Sequence, residues 1–375
     1  MEIDYLRRAG SLRRTLAAVS VGGALLLSTA LTAAGQNGGA PFDGGGEVGG
    51  GGAYAEQTST YGPAIAPAED AVYLYATGED GTGYYTSYDG EAWGDWQGWE
   101  EQPVEYQWQP AAAEYDGSQY VVYDGTDNKL YLNSYDGTEW AGWEDTSGEY
   151  TFPYAPYLNT YGDSLHLYAA AADGAVYGKY YDGEAWSEWA AVSDDFPSGE
   201  YQPYAVEWDD YQNVFWTGED GKVYWNRYDG TEWTGAKALP GEGDYGYTPS
   251  AVGYDDQLYT YAVSKDGVPY YNTFDGEAWS EWTAYEAEIP AKAAHQPSVS
   301  VYDDQQHLVY TGEDGHGYYI AYDGEQWSAW QDLGENYAYD SAQYDYSDDH
   351  YLAYTGEDGA VYYKTYDAAA AEEGY

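Results

Sequence analysis

Asn213-Val214-Phe215-Trp216-Thr217-Gly218-Glu219-Asp220-Gly221-Lys222-Val223-Tyr224-Trp225-Asn226-Arg227-Tyr228-Asp229-Gly230 holds two runs of β-branched and aromatic residues, parted by a Gly-Glu-Asp-Gly turn and closed by Asp-Gly. Such runs fit a pleated surface, and Asp-Gly between them is a strong hairpin signal. The runs span Asn213–Thr217 and Val223–Tyr228. Before them, Pro203 to Trp208 makes another strand, turned by Asp209-Asp210. After them, a fourth strand begins at Trp233. No helical period survives across turns this closely spaced.

This unit recurs. Tyr-Asp-Gly, once Phe-Asp-Gly, begins at Tyr88, Tyr135, Tyr181, Tyr228, Phe274 and Tyr322, with a remnant at Tyr366. Pro63, Pro110, Pro156, Pro203, Pro249 and Pro297 keep nearly the same steps. So do Asp80, Asp127, Asp173, Asp220, Asp266, Asp314 and Asp358 of the Gly-Glu-Asp-Gly type turn. Three markers in one register, with four strands per repeat of 44–48 residues, predict an all-β chain. Its expected form is a seven-bladed β-propeller of four-stranded antiparallel blades spanning residues 54–375. The first strand of each repeat is rich in Ala and Ser, which suits the crowded position nearest the axis. The Trp-rich fourth strand is expected outermost, covering the neighbouring blade.

Two segments precede the repeats. Residues 1–34 begin with Arg7-Arg8 and Arg13-Arg14, continue apolar from Leu16 and reach Thr32-Ala33-Ala34. That is the charge-then-apolar pattern of a secretory signal peptide, so the chain is expected to be secreted, extracellular or on a cell surface. Residues 35–53 are Gly-rich and are expected to form a flexible linker.

The formal charge is −54, and beyond Thr15 Arg227 is the one arginine. Nucleic acid and anionic membranes are therefore excluded as partners, because phosphate binding needs a basic footprint. Cations, neutral glycans and basic proteins remain. There is no Cys, so disulfides and thiolate metal sites are excluded. The hairpin acids should form two carboxylate rings, with the Asp255-Asp256 and Asp275-Gly276 types on one rim and the Glu219-Asp220 type on the other. Ca²⁺ is the cofactor these rings suggest, although nothing in the sequence requires one. Stability is expected to rise with salt and more steeply with Ca²⁺.

The cleanest fourth-strand copies read Trp-Ser-x-Trp: Trp186-Ser187-Glu188-Trp189, Trp279-Ser280-Glu281-Trp282 and Trp327-Ser328-Ala329-Trp330. With the preceding Asp-Gly-x-x-Tyr element, this resembles the bacterial seven-bladed propeller lectins of the fucose-binding PLL type and related tandem-repeat propellers. The resemblance covers Tyr61 to Asp367. It implies carbohydrate pockets between adjacent blades, lined by aromatics, with Trp93, Trp140, Trp186, Trp279 and Trp327 as candidate pocket walls. The fourth repeat departs at Trp233-Thr234-Gly235-Ala236, which lacks the second Trp, and the seventh lacks both.

No catalytic residue stands out. The five His lie in different repeats without a shared motif, and the acids sit at repeated turn positions, which is turn chemistry. The function these features favour is a non-catalytic, multivalent, lectin-like binder of cell-surface or extracellular glycans, with self-association open. A glycoside hydrolase built on a carboxylate pair is an alternative.

A further alternative comes from the last repeat. After Tyr366 it offers Ala368–Ala371 in place of a Trp-bearing strand, which leaves an open edge. Tyr54–Thr60 is expected to fill that edge in its own ring. It could instead fill a neighbour's ring and build an extracellular filament.

Overall fold

The computed structural model describes residues 42–48, 58–68, 71–192, 201–285, 288–347 and 349–366, and the segment read as a signal peptide lies outside them. The described residues form seven sheets of four antiparallel strands, with no helix among them. The chain is a seven-bladed β-propeller, as the repeats require.

Blade four shows the local logic. Its strands are Tyr204–Trp208, Tyr211–Thr217, Val223–Tyr228 and Lys237–Ala238. Asp209 and Asp210 both take positive φ, at 54° and 61°, as a two-residue hairpin turn demands. The Asp229-Gly230 turn is built differently. Only Gly230 has positive φ, while Asp229 Oδ1 accepts the backbone N–H groups of Thr231 and Glu232. This Asp-Gly is thus the start of a four-residue loop closed by the carboxylate, not a tight hairpin. Trp233, read as the start of the fourth strand, makes a single bridge to Tyr228. The ladder resumes only at Tyr224↔Ala238 and Trp225↔Lys237.

The tyrosine abundance has a repeated cause. In six of the seven Gly-Glu-Asp-Gly type turns the Asp accepts the hydroxyl of the Tyr four residues on: Tyr84, Tyr131, Tyr177, Tyr224, Tyr318 and Tyr362. Each ring is consumed in packing while its polar tip secures the turn. On the opposite rim Tyr115, Tyr161 and Tyr254 donate to the first-turn carbonyls of Asp163, Asp210 and Asp304 in the following blade.

The innermost strands line the axial channel with small residues, among them Ala64, Ala111, Ala112, Ser250 and Ser298. The core is distributed along the seams between blades rather than gathered in one centre. One cluster joins Val122, Leu130 and Leu132 of blade two to Leu158, Leu165 and Leu167 of blade three.

Blade seven corrects two expectations. Its chain-terminal strands are Ser341–Tyr346, Asp349–Thr355 and Val361–Tyr366. The fourth strand is Phe42–Glu47, paired antiparallel to the last with Phe42 opposite Tyr366 and Glu47 opposite Tyr362. Part of the stretch expected to be a linker is therefore a strand, and it fills the edge that Tyr54–Thr60 was expected to fill. Within that latter segment, Ser59 instead bridges Gly78 and donates its N–H to Gly359.

The physical reason is that the segment carries an apolar anchor at each end and needs glycine between them. Phe42 is fully buried against Tyr319 of blade six and Tyr366 of blade seven. Val48 is buried with Val72 and Leu74 of blade one, and its N–H donates to Val361. The register slips between Asp43 and Gly46, and Gly45 takes φ +90°, where a Cβ would stand 2.0 Å from the Tyr363 carbonyl oxygen. A Gly-rich composition read as linker is here a bulge requirement. The edge of blade seven is here filled by the chain's own strand.

Candidate functional site

The fourth-strand indoles are placed by one construction. Trp93, Trp140, Trp186, Trp233, Trp279 and Trp327 each bridge the Tyr or Phe of the preceding Tyr-Asp-Gly type turn. Each ring lies 5.0–5.5 Å from that partner's. Each then leans into the blade before its own. Trp140 meets Tyr85 and Trp99 of blade one, Trp279 meets Phe215 and Trp225 of blade four, and Trp327 meets Tyr261 and Tyr271 of blade five. Trp93 and Trp186 pack in the seams of blades seven and two. All five candidate walls are therefore half-buried wedges between blades. The Nε1–H groups of Trp93 and Trp279 are buried without a hydrogen-bond partner.

The seam between blades one and two opens into a cleft of about 800 Å³. Tyr85, Trp99, Trp140 and Trp143 wall it, and Gln97, Glu101 and Asn133 supply polar groups. Trp99 stands edge-on to Trp140 at 4.6 Å and to Trp143 at 5.0 Å, and stacks on Tyr85 at 4.5 Å. Fixed aromatic faces beside amide and carboxylate groups suit a pyranose, which offers an apolar C–H face and equatorial hydroxyls. Sequence reasoning named Trp140 here but missed Trp99, Trp143 and Tyr85. Their signal was present, because Trp99 and Trp143 follow the repeated Trp by six and three residues.

The equivalent seam between blades two and three is filled differently. Lys179 places its ammonium 4.8 Å from the Trp186 ring centroid and 5.1 Å from that of Trp189, and donates to the Thr146 carbonyl oxygen. Burial pulls its pKa down to about 8, against the pull of Glu144 and Glu188. Trp186 is thus covered by a side chain of its own blade. Two more clefts hold other chemistry. Asp244, Lys265, Tyr270, Glu281 and Trp282 line one between blades four and five. Tyr161, His166, Tyr180, Glu207 and Tyr228 line one between blades three and four. Burial depresses the His166 pKa to about 4, so that ring is neutral at ordinary pH.

The turn carboxylates are engaged by their own turns. Asp89, Asp136, Asp182, Asp229, Asp275 and Asp323 each accept two backbone N–H groups, which holds their pKa values below the usual range; a Thr138 hydroxyl leads for Asp136 and a Thr231 hydroxyl for Asp229. Among the described residues no three His, Cys, Asp or Glu side chains converge as a metal site would require.

One constellation was invisible in the sequence. Ser300 Oγ lies 3.2 Å from His350 Nε2, and His350 Nδ1 lies 2.6 Å from Asp345 Oδ1. These are the distances of a nucleophile, base and orienting acid. The surroundings argue against that use. His350 is fully buried beneath Tyr302, stacked at 5.0 Å, and beside Phe42. The Ser300 hydroxyl donates to Gln343 Oε1, 3.0 Å away, so its proton has an amide acceptor. The arrangement is a polar knot joining blades six and seven, buried at His350 and open to solvent at Asp345.

No protein-family model matches the chain, and no curated protein matches it. Solved structures do resemble it. The BP39L lectin from Burkholderia pseudomallei superposes with a TM-score of 0.71 at 14% identity, over 81% of this chain and 95% of the lectin. The fucose-specific lectin from Aleuria aurantia gives 0.50 at 12% identity, over 73% and 96%. BBS1N, solved in complex with ARL6DN, gives 0.57 at 14% identity, over 84% and 94%. At these identities the likeness establishes the propeller fold, and the lectins among these structures bind carbohydrate on that fold.

Proposed function

We propose that the chain is a secreted, non-catalytic propeller that binds glycans through its inter-blade clefts, several at a time. The observation that carries this reading is the cleft of Tyr85, Trp99, Trp140 and Trp143, where preorganised aromatic faces stand beside Gln97 and Asn133. Lectins in the solved structures lend support, among them a fucose-specific one. Weak sites repeated around a ring gain avidity on a multivalent surface without any new contact.

Trp140→Ala removes one wall of one cleft. It should reduce capture on a glycan array by about two- to tenfold, because the remaining sites still engage. Abolition of binding by this one change would mean a single site. Absence of any glycan binding, with turnover of a glycoside instead, would make the protein a hydrolase. Repeating the array with and without Ca²⁺ tests the ion as a cofactor, and unchanged binding and melting temperature would dismiss it.

A further inference from the structure

Seven side chains, one from each repeat, meet at the mouth of the axial channel: Tyr61, Trp108, Tyr154, Tyr201, Tyr247, His295 and Tyr339. Six of them stand two residues before the repeated Pro, from Pro63 to Pro297, and Tyr339 stands two before Ser341. They surround a space of about 340 Å³. Ring centroids are 5.5 Å apart for Tyr61–Trp108, 6.2 Å for Tyr61–Tyr339 and 5.9 Å for His295–Tyr339. Interplanar angles between neighbours run from 40° to 54°. Seven planes standing parallel to one axis would turn by about 51° from each to the next, whereas rings lying across the axis would be parallel. The aromatics therefore form a wall around the mouth and do not lid it.

The wall is held in place. The carbonyls of Tyr61, Trp108, Tyr247 and Tyr339 accept the hydroxyls of Thr355, Thr77, Thr217 and Thr311 at 2.7–2.8 Å, each from the blade before. Trp108 goes further. Its φ is 64°, a left-handed conformation costly for a bulky residue, and it remains 37% exposed. Burial does not compensate this strain. Its effect is to hold an indole face at the mouth.

Chemistry distinguishes what the mouth would take. Beneath the rings, the amides of Gln109 and Gln202 donate to the carbonyls of Pro63 and Pro156, and the Thr248 hydroxyl donates to the Gln202 carbonyl. One N–H of each amide, and the hydroxyl, are thus engaged within the ring. Asp340 lies among them, 3.6 Å from His295. The Gly62 backbone packs closely against that of Asp340, where a Cβ would come within 2.6 Å of the Asp340 carbonyl oxygen. Burial raises the pKa of the Tyr339 and Tyr247 phenols, with Tyr61 and Glu79 adding at the first and Glu313 and Asp340 at the second. Lys265 is paired with Asp244 at 2.8 Å, and Lys129 donates to two carbonyls. The protein already uses this chemistry elsewhere, with Lys179 over Trp186 and the Arg227 guanidinium 4.3 Å from the Tyr211 ring centroid.

We infer that the sector of Trp108, Tyr61, Tyr339 and His295 above Asp340 is a binding site for an organic cation bearing an alkylammonium head, distinct from the inter-blade clefts. Aromatic faces attract such a head, and a bound cation favours the ionised form of Asp340, whose pKa burial pushes up to about 7. Inorganic cations of equal charge keep their hydration and gain nothing from the rings.

The test uses the full chain, isothermal titration and tryptophan fluorescence, with choline as probe and its neutral carbon isostere 3,3-dimethylbutan-1-ol as control. Choline should bind saturably and at least tenfold more tightly than the isostere. Trp108→Ala and Asp340→Asn should each weaken it at least fivefold with melting temperature and near-ultraviolet dichroism retained, while Trp140→Ala leaves it unchanged. Equal binding of the isostere, no saturable binding of choline, or indifference to both collar variants would overturn the inference. So would displacement of choline by a neutral oligosaccharide, which would make the collar a sugar site. The Trp140→Ala control keeps this outcome separate from the fate of the glycan-binding proposal.

Discussion

Removal of residues 42–48 should yield a protein that melts at least ~10 °C lower and forms concentration-dependent oligomers. Two losses combine. The outer edge of Val361–Tyr366 becomes an unpaired row of N–H and C=O groups, a template for strands of other chains. The seams on both sides of blade seven also open, because Phe42 plugs one and Val48 the other. Phe42→Ala isolates the packing contribution, at about 3–5 kcal/mol for a fully buried phenyl. A synthetic peptide of residues 42–48 added in trans should restore the monomer and most of the melting temperature. Analytical ultracentrifugation and thermal scans read both effects. A deletion variant that stays monomeric with an unchanged melting point would show that the segment does not close the ring.

Asp124→Thr should stabilise the protein by on the order of 3 kcal/mol at pH 9 and make its stability less dependent on pH. Four other blades place Thr at the matching position, namely Thr77, Thr217, Thr311 and Thr355, each donating to a carbonyl of the next blade. Blade two has Asp124, fully buried, with Oδ1 lacking a partner and Oδ2 accepting from Gln107. Burial pushes its pKa up to about 8, a rise that the Gln107 bond moderates. In the unfolded chain the group titrates near ~3.9, so between those values the native state retains a proton that the unfolded state has released. Stability therefore falls as pH rises from about 4 to 8, and above that range the whole penalty is present. Asp340, pushed up to about 7 by burial, acts with the same sign and persists in the variant, so the curve becomes shallower without becoming flat. Urea midpoints between pH 5 and 9 decide the matter, and parallel curves for the two proteins would refute the assignment.

The ring was legible because every repeat restates it. Pro, Asp and Tyr-Asp-Gly markers in one register specify the hairpins, and hairpin spacing specifies the blade. The closing strand was not legible by composition, since its glycines resemble a linker. Position would have found it. Trp186 and Val192, Trp233 and Leu239, and Trp327 and Leu333 stand six apart, and so do Phe42 and Val48. In each pair the first ring wedges into the preceding seam and the second side chain is buried in the core.

The aromatic collar was equally present in the letters, two residues before each repeated Pro, but it lacks one residue type to mark it. Trp, Tyr and His share the position because a ring, not a hydroxyl, is what the geometry uses. The Ser300–His350–Asp345 knot had no linear signal at all, since two blades bring it together. The inter-blade clefts were half legible. The repeated Trp fixes where the seams lie. Whether a seam stays open depends on one neighbouring side chain, such as Lys179 over Trp186.

The antiparallel clasp also sets how the ring answers to force. Tension carried by the chain on either side of the ring enters at Phe42 and leaves at Tyr366, and these two residues face each other across the ladder. A pull then loads the hydrogen bonds one pair at a time, as a zipper is opened, whereas strands pulled from opposite ends would share the load in shear. The same seven residues that resist heat through two buried plugs are thus placed where a modest tug peels them first. Blade seven is the joint at which a tethered ring would come undone.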